Sequence, residues 1–132
     1  MPAPTVVLRP LAGDYVIVRL VPTAEVPSHL LTDSSADGFV SITRTPQELS
    51  IVCRSEIAPA EAEIDGPWTA LYASGPIPFG LTGVVTSLVA PLSAVGCPVF
   101  VVSTFDGDIL MIPTANRDQA REQLAAAGHT LR

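Results

Sequence analysis

Residues 75–112 read GPIPFGLTGVVTSLVAPLSAVGCPVFVVSTFDGDILMI, and this stretch decides the fold. Its first four residues include a glycine and two prolines, which end the apolar run that precedes them. Apolar residues then recur at i, i+3, i+4 and i+7 over residues 81–95, which predicts a helix with one buried stripe. Gly96 follows at the position of a helix C-cap.

The second half of the stretch predicts two strands joined by a tight turn. Residues 98–102 are nearly all apolar and β-branched, as in a strand. The run STFDGD at residues 103–108 contains Asp-Gly, a strong hairpin signal, and leads into the apolar residues 109–112. The whole stretch is therefore predicted as a strand-to-helix loop, a helix, and two strands joined by an acidic corner.

Two segments resemble the small tandem ACT-domain proteins, the bacterial relatives of the arginine sensor subunit of the TOR pathway. Residues 79–112 resemble the second half of these proteins, and TPQELSIVC at residues 45–53 resembles their TPxELSVVC segment. Together the similar region covers roughly residues 39–129. The resemblance implies amino-acid-binding regulatory modules whose ligands lie at the seam between two units.

The order of predicted elements repeats along the chain, with β-α-β-β in the first half and β-α-β-β-α-β in the second. We therefore predict an α+β fold of two ferredoxin-like (βαββαβ) ACT units in tandem, with the first unit incomplete. The predicted division is 1–60 for the first unit and 61–132 for the second. The remaining predicted elements are an edge strand within 1–9, a strand at 15–21, a helix of at most about two turns at 24–31 that Pro27 interrupts, a hairpin of 39–44 and 49–54, a linker at 56–66, a strand at 68–72, a helix at 116–127 and a strand at 129–131.

Composition excludes several classes of function. The net charge of -6 and the absence of a basic cluster argue against nucleic-acid binding. The apolar runs are far shorter than the roughly 18 residues needed to span a membrane, and no N-terminal signal pattern is present. Cys53 and Cys97 lie inside apolar strands without nearby metal-ligating partners, so we expect buried thiols in a reducing cytoplasm.

The loop before the predicted helix is the first candidate ligand site. Gly80 and Gly83 flank Thr82 where backbone N–H groups at a helix N-terminus attract a carboxylate. Alternatively, these glycines only allow the backbone conformation of the turn and bind no ligand, and that alternative stays open. With the resemblance, we predict recognition of an α-carboxylate by residues 79–83, with Phe79 and Leu81 as neighbours.

The acidic corner is the second candidate. Ser103, Thr104 and Asp106 match the family run STYDTDY, whereas Gly107 replaces its threonine. Carboxylates at a strand end can accept hydrogen bonds from a ligand amino group. Asp108 is either such a contact or a structural turn residue.

The segment at Ser50 in the first half is the third candidate. From residue patterning alone, Ile51 faces the core and Ser50 faces solvent. The resemblance instead implies that Ser50 and the backbone of Ile51 and Val52 contact the ligand across the seam.

Catalysis is not expected. His29 and His129 have no nucleophile motif beside them, and a lone histidine is usually a surface or capping residue. The chain has no lysine for a Schiff base, and GLTG at residues 80–83 lacks the Gly-Lys-Ser/Thr of a P-loop. We predict no catalytic residue, no metal and no cofactor.

The favoured function is sensing of a free amino acid or similar small metabolite, coupled to a regulated protein that the sequence does not name. The alternative is an interaction or dimerisation module without a metabolite, in which Phe79, Leu81 and Phe105 plug the seam. Because ACT-like units commonly pair, a homodimer fits either function. The predicted ligand-binding residues are Ser50, Ile51, Val52, Phe79, Gly80, Leu81, Thr82, Gly83, Ser103, Thr104, Phe105, Asp106 and Asp108.

Overall fold

The structure, a computed structural model, describes residues 4–32, 38–73 and 82–132. Its strands are β1 (Val7–Pro10), β2 (Tyr15–Leu20), β3 (Ser41–Arg44), β4 (Leu49–Arg54), β5 (Glu63–Ala73), β6 (Phe100–Ser103), β7 (Asp108–Pro113) and β8 (Thr130–Leu131). Its helices are α1 (Ser28–Leu31), α2 (Val84–Ser93) and α3 (Arg117–Ala126), with 3₁₀ turns at Ser55–Ile57 and Thr114–Asn116. This mixture of strands and helices confirms the predicted α+β class.

The chain forms two compact units. The smaller unit is Ala12–Trp68, and the larger unit combines Met1–Leu11 with Thr69–Arg132. The sequence prediction instead grouped the first eleven residues with the first half. In the structure they belong with the larger unit because β1 pairs with the last residues of β5 and with β8.

The smaller unit is an antiparallel sheet in the order β3-β4-β2-β5, in which β5 contributes only its first residues. The predicted hairpin of β3 and β4 is confirmed, and its turn is closed by the Thr45 N–H, which donates to the Glu48 carbonyl at 2.9 Å. The predicted short helix is present as α1, but it has only four residues and begins after Pro27. The core of this unit comprises Val16, Val18, Leu30, Leu49, Ile51 and Cys53.

The predicted linker at residues 56–66 is only partly correct, because β5 already begins at Glu63. The strand continues through Gly66 and Pro67 by a bulge, in which these two residues of β5 face the single residue Val16 of β2. A Cβ at position 66 would lie 2.9 Å from Cγ1 of Val16, so the close approach of the two strands requires glycine. Glycine and proline, which the sequence analysis took for a linker, instead form this irregularity.

In the larger unit, β1 lies between β5 and β8, β7 pairs with β5, and β6 pairs with β7. The predicted edge position of the first strand is therefore wrong, since β8 returns from the far end of the chain to pair with it in parallel. The core of this unit packs strand residues against α2 and α3 and comprises Leu8, Leu71, Ala73, Val84, Leu88, Leu92, Cys97, Leu110, Ile112, Ala120 and Leu124.

Both long helices end at a glycine in the left-handed conformation. At Gly96 (φ 73°) the Cys97 N–H donates to the Leu92 carbonyl and the Gly96 N–H to the Ser93 carbonyl. Gly128 (φ 98°) ends α3 with the same pair of bonds. These are Schellman motifs, and they confirm the predicted helix ends. The N-terminal prediction for α2 was too early, since the helix begins at residue 84.

Candidate ligand-binding site

The β6–β7 hairpin brings the acidic corner together at its turn. Ser103 ends β6 and lies opposite Asp108, the first residue of β7. The Ser103 hydroxyl donates a hydrogen bond of 2.6 Å to Oδ1 of Asp108, whose residue is only 8% exposed. One hydroxyl donor occupies one of the roughly four acceptor positions of a carboxylate, so Asp108 keeps acceptor capacity. The bond to Ser103 gives Asp108 a structural role in the turn, and its role as a ligand contact stays a prediction.

Thr104 is used by the turn itself. Its N–H donates to the Gly107 carbonyl at 2.8 Å, and its hydroxyl donates to the same carbonyl at 3.0 Å. The Gly107 N–H in turn donates to the Thr104 hydroxyl at 3.3 Å. The Thr104 side chain therefore holds the loop in shape, while Asp106 beside it is exposed.

Gly107 brings the hairpin close to the end of β5. A Cβ at this position would lie 3.0 Å from the Ala73 carbonyl oxygen and 3.5 Å from the Tyr72 hydroxyl. The Tyr72 ring also lies 5.7 Å below the Arg9 guanidinium, within the range of a cation–π contact. A threonine at this position would not fit this packing without a shift.

The start of α2 is the part of the predicted carboxylate site that the structure describes. Thr82 and Gly83 are exposed, and Gly83 has the left-handed φ of 86° immediately before the helix. Intrahelical bonding begins with the Ser87 N–H, which donates to the Gly83 carbonyl at 2.9 Å. The N–H groups of the preceding turn have no intrahelical acceptor and point out of the helix end, as an anion site requires. The predicted contacts Phe79, Gly80 and Leu81 lie outside the described residues.

The third predicted segment lies on β4, in the middle of the smaller unit's sheet. The side chains of Ile51 and Val52 are buried, and Ser50 is half-buried. Because β4 is paired on both sides, by β2 and by β3, the backbone of this segment is engaged in the sheet. The Ser50 hydroxyl is therefore the group of this segment that is best suited to meet a ligand.

Arg19 is a polar neighbour of Ser50 that the sequence analysis did not single out. The register of the sheet places Arg19 of β2 opposite Ser50 of β4 on one side and opposite Glu63 of β5 on the other. These three residues share one face, because directly paired residues point to the same side of a sheet. The sequence around Arg19, where an arginine follows Val-Ile-Val in a strand, does not indicate these neighbours. The pairing is set by residues thirty or more positions away.

The two histidines have structural roles. His29 is exposed, and its Nε2 lies 3.0 Å from the Ile57 carbonyl oxygen. His129 was expected at the surface or in a cap, but it is buried, with contacts to Val6 and Ser87. That expectation was wrong for His129 because Val6, whose N–H donates to its ring, is 123 residues away in the sequence.

Neither cysteine is part of a metal site within the residues that the structure describes. Both cysteines are buried free thiols, and burial raises the pKa of the Cys97 thiol. In residues 4–32, 38–73 and 82–132 there is no group of three or more residues that could hold a metal ion. None of the helices in these ranges is long and apolar enough to cross a membrane.

From β5 to β8 the larger unit follows the order β-α-β-β-α-β, which defines the ferredoxin-like class of small α+β domains. Residues 63–126 match the family model described as the ACT domain, and residues 13–61 match a model described as an N-terminal domain. The chain is therefore an ACT-domain protein, with the ACT domain at residues 63–126. The predicted ferredoxin-like ACT fold is thereby confirmed.

Similar proteins are known in bacteria and in humans. The crystal structure of protein Atu0741 from Agrobacterium tumefaciens is 42% identical, with a TM-score of 0.89 over 98% of this chain and 94% of that one. The human protein CASTOR3P is 27% identical over 109 residues, which takes in 73% of this chain and 67% of that protein. The ligand-free regulatory subunit of aspartate kinase from Thermus thermophilus shares the fold, with a TM-score of 0.58 at 10% identity over 89% of this chain and 94% of that one.

These comparisons support a coarse statement of function. ACT domains are regulatory, often bind small metabolites such as amino acids, and often oligomerise. The similar structures include regulatory subunits of an enzyme.

Proposed function

We propose that this chain is a regulatory module that binds a free amino acid through its ACT domain. The observation that carries the proposal is the Asp108 carboxylate, which is buried in the hairpin and hydrogen-bonded to Ser103 at 2.6 Å. A buried carboxylate is costly unless polar partners compensate for its lost hydration. A ligand ammonium group supplies such a partner as a charge-assisted donor.

The ligand's two charged groups have different partners in this proposal. Its ammonium group contacts the hairpin carboxylates Asp106 and Asp108, and its α-carboxylate accepts hydrogen bonds from the N–H groups at the start of α2, beside Thr82 and Gly83. The partial positive charge of a helix N-terminus favours the anion there. In the smaller unit, we propose Ser50 as a further ligand contact. Substitution of Ser50 tests whether it binds the same ligand.

Regulation requires that the ligand prefer one of two states of the protein. A ligand with equal affinity for both states shifts nothing, however tightly it binds. We propose that the amino acid favours a state in which this module binds a regulated protein differently, in the cytoplasm where its free thiols stay reduced. A regulatory rather than catalytic role agrees with the similar regulatory subunit.

Differential scanning fluorimetry against the twenty amino acids, at millimolar concentration, tests the proposal. A ligand at about 100 times its dissociation constant stabilises the folded state by roughly 2.7 kcal/mol, which raises the melting temperature by several degrees in a chain of this size. We expect such a shift with one or two amino acids. A panel without any shift would overturn amino-acid sensing.

A second candidate function is an interaction module without a metabolite. Its support is apolar surface, since Phe105 at the hairpin tip is 77% exposed and Val85 and Val95, within and just after α2, are exposed as well. Under this function the amino-acid panel gives no shift, and sedimentation shows self-association that Phe105→Ser weakens. The same Phe105 exposure argues against its predicted place as a plug.

A further inference from the structure

A cleft lies wholly within the smaller unit, and none of the predicted ligand-binding residues line it. Its volume is about 370 Å³, and it is lined by the apolar residues 20–22 and by four polar side chains: Arg19, Gln47, Glu61 and Glu63. Ligand pockets of proteins begin at roughly 300 Å³, so this cleft is large enough for a molecule of amino-acid size.

Three ordered segments build the cleft. Arg19 is near the end of β2, and Glu63 is the first residue of β5. Gln47 lies in the β3–β4 turn, where the Thr45 hydroxyl accepts from the N–H groups of Gln47 and Glu48, each at 3.1 Å. The backbone of Arg19, Gln47 and Glu63 therefore belongs to strand ends and a braced turn, which limits how far it can move.

The opposite charges of Arg19 and Glu63 face one another but do not pair. They are direct cross-strand partners in the register of β2 and β5. Side chains in such positions are close enough to form an ion pair. Among the described residues, however, the Arg19 guanidinium has neither a hydrogen bond nor an ion pair. An unpaired cation and anion on one cleft wall present two complementary binding groups.

Glu61 adds a second carboxylate from an unusual backbone position. Its φ is +61°, a left-handed conformation that glycine or asparagine adopts more readily. If only the shape of the loop mattered, either of those residues would serve better there. Glutamate at this position brings a carboxylate to the cleft, although the left-handed backbone conformation is less favourable for it than for glycine.

We propose that this cleft binds a small zwitterion, an α-amino acid with a cationic or neutral side chain, as a second ligand site. The ligand carboxylate binds Arg19, its ammonium group binds Glu61 and Glu63, and Gln47 donates or accepts one further hydrogen bond. Residues 20–22 contact the aliphatic part. One arginine against two glutamates leaves the lining with a net charge of -1, which disfavours anionic ligands. This site is independent of the hairpin site proposed above.

The test is a titration of the ¹⁵N-labelled full chain with L-lysine, followed by NMR. We expect saturable shifts of the amide signals of Arg19, Gln47, Glu61 and Glu63. Acetate and butylammonium, which each carry only one of the two charges, should produce much smaller shifts at the same concentration. Arg19→Gln and Glu63→Gln should each weaken binding about tenfold, because each removes a charge-assisted contact. Glu25→Gln, a change of the same kind at an exposed glutamate of the same unit, should leave the affinity unchanged.

Two outcomes would overturn the second site. One is the absence of saturable L-lysine shifts at these four amides, and the other is an unchanged affinity in Arg19→Gln and Glu63→Gln with well-dispersed spectra. Asp108→Asn separates this site from the hairpin site. In that variant the cleft signals should still shift, even if the hairpin proves not to bind an amino acid.

Discussion

His129 donates a hydrogen bond from Nε2 to the carbonyl oxygen of Ser87, at 2.9 Å. Its other ring nitrogen, Nδ1, accepts from the Val6 N–H at 3.2 Å, so the neutral ring with its proton on Nε2 satisfies both partners. The imidazole is 5% exposed and joins Ser87 of α2 to Val6, the residue before β1, inside the larger unit.

His129→Ala should therefore strongly destabilise the fold. It leaves the Val6 N–H and the Ser87 carbonyl without their partner, at about 1–3 kcal/mol for each buried group. Urea unfolding should show a loss of about 2–5 kcal/mol in the free energy of unfolding. His29→Ala, which removes an exposed histidine with one carbonyl contact, should cost less than about 1 kcal/mol. Equal losses in the two variants would refute the tethering role.

Gly107→Thr introduces the threonine of the family run STYDTDY, and we expect it to destabilise this chain. The new Cβ would lie 3.0 Å from the Ala73 carbonyl oxygen, and a backbone atom cannot move away cheaply. Overpacking of this kind costs about 1–3 kcal/mol. Gly107→Ala should show most of the loss, since the clash begins at Cβ. An unchanged melting temperature in both variants would show that the hairpin can shift without cost.

The fold should lose stability in alkali partly through Cys97. Burial raises the pKa of this thiol in the folded chain, so the unfolded chain releases the proton at lower pH. The contribution of Cys97 to the free energy of unfolding is complete below the ordinary thiol pKa of about 8.5. It is lost as the pH rises through the raised pKa of the folded state. The urea midpoint, measured in reducing buffer between pH 8 and pH 10, should fall less steeply in Cys97→Ala than in the parent. Equal slopes of the urea midpoint against pH in the parent and in Cys97→Ala would contradict this role of Cys97.

Local patterns predicted the elements that local chemistry determines. The apolar spacing that includes Val84, Leu88 and Leu92 predicted α2, and Gly96 and Gly128 predicted the two helix ends. The Asp-Gly signal predicted the β6–β7 hairpin. In each case, the residues that decide the structure lie within one or two turns of one another.

Long-range pairing decided what the sequence could not predict. The place of β1 depends on β8, and the bulge at Gly66 depends on Val16 of another strand. Arg19 was not predicted as a site residue for the same reason, because its neighbours Ser50 and Glu63 are set by strand register. At the hairpin, the residue types were informative, but only the structure distinguishes the buried Asp108 from the exposed Asp106.

The most direct test of amino-acid binding is isothermal titration calorimetry with the amino acid that gives the largest thermal shift. Asp108→Asn keeps the shape of the side chain but removes its charge, so we expect binding to weaken about 10- to 100-fold. Glu122→Gln, the matched change at an exposed glutamate of α3, should bind as the parent does. If a folded Asp108→Asn variant bound the ligand with the parent's affinity, the hairpin carboxylate would not be the site.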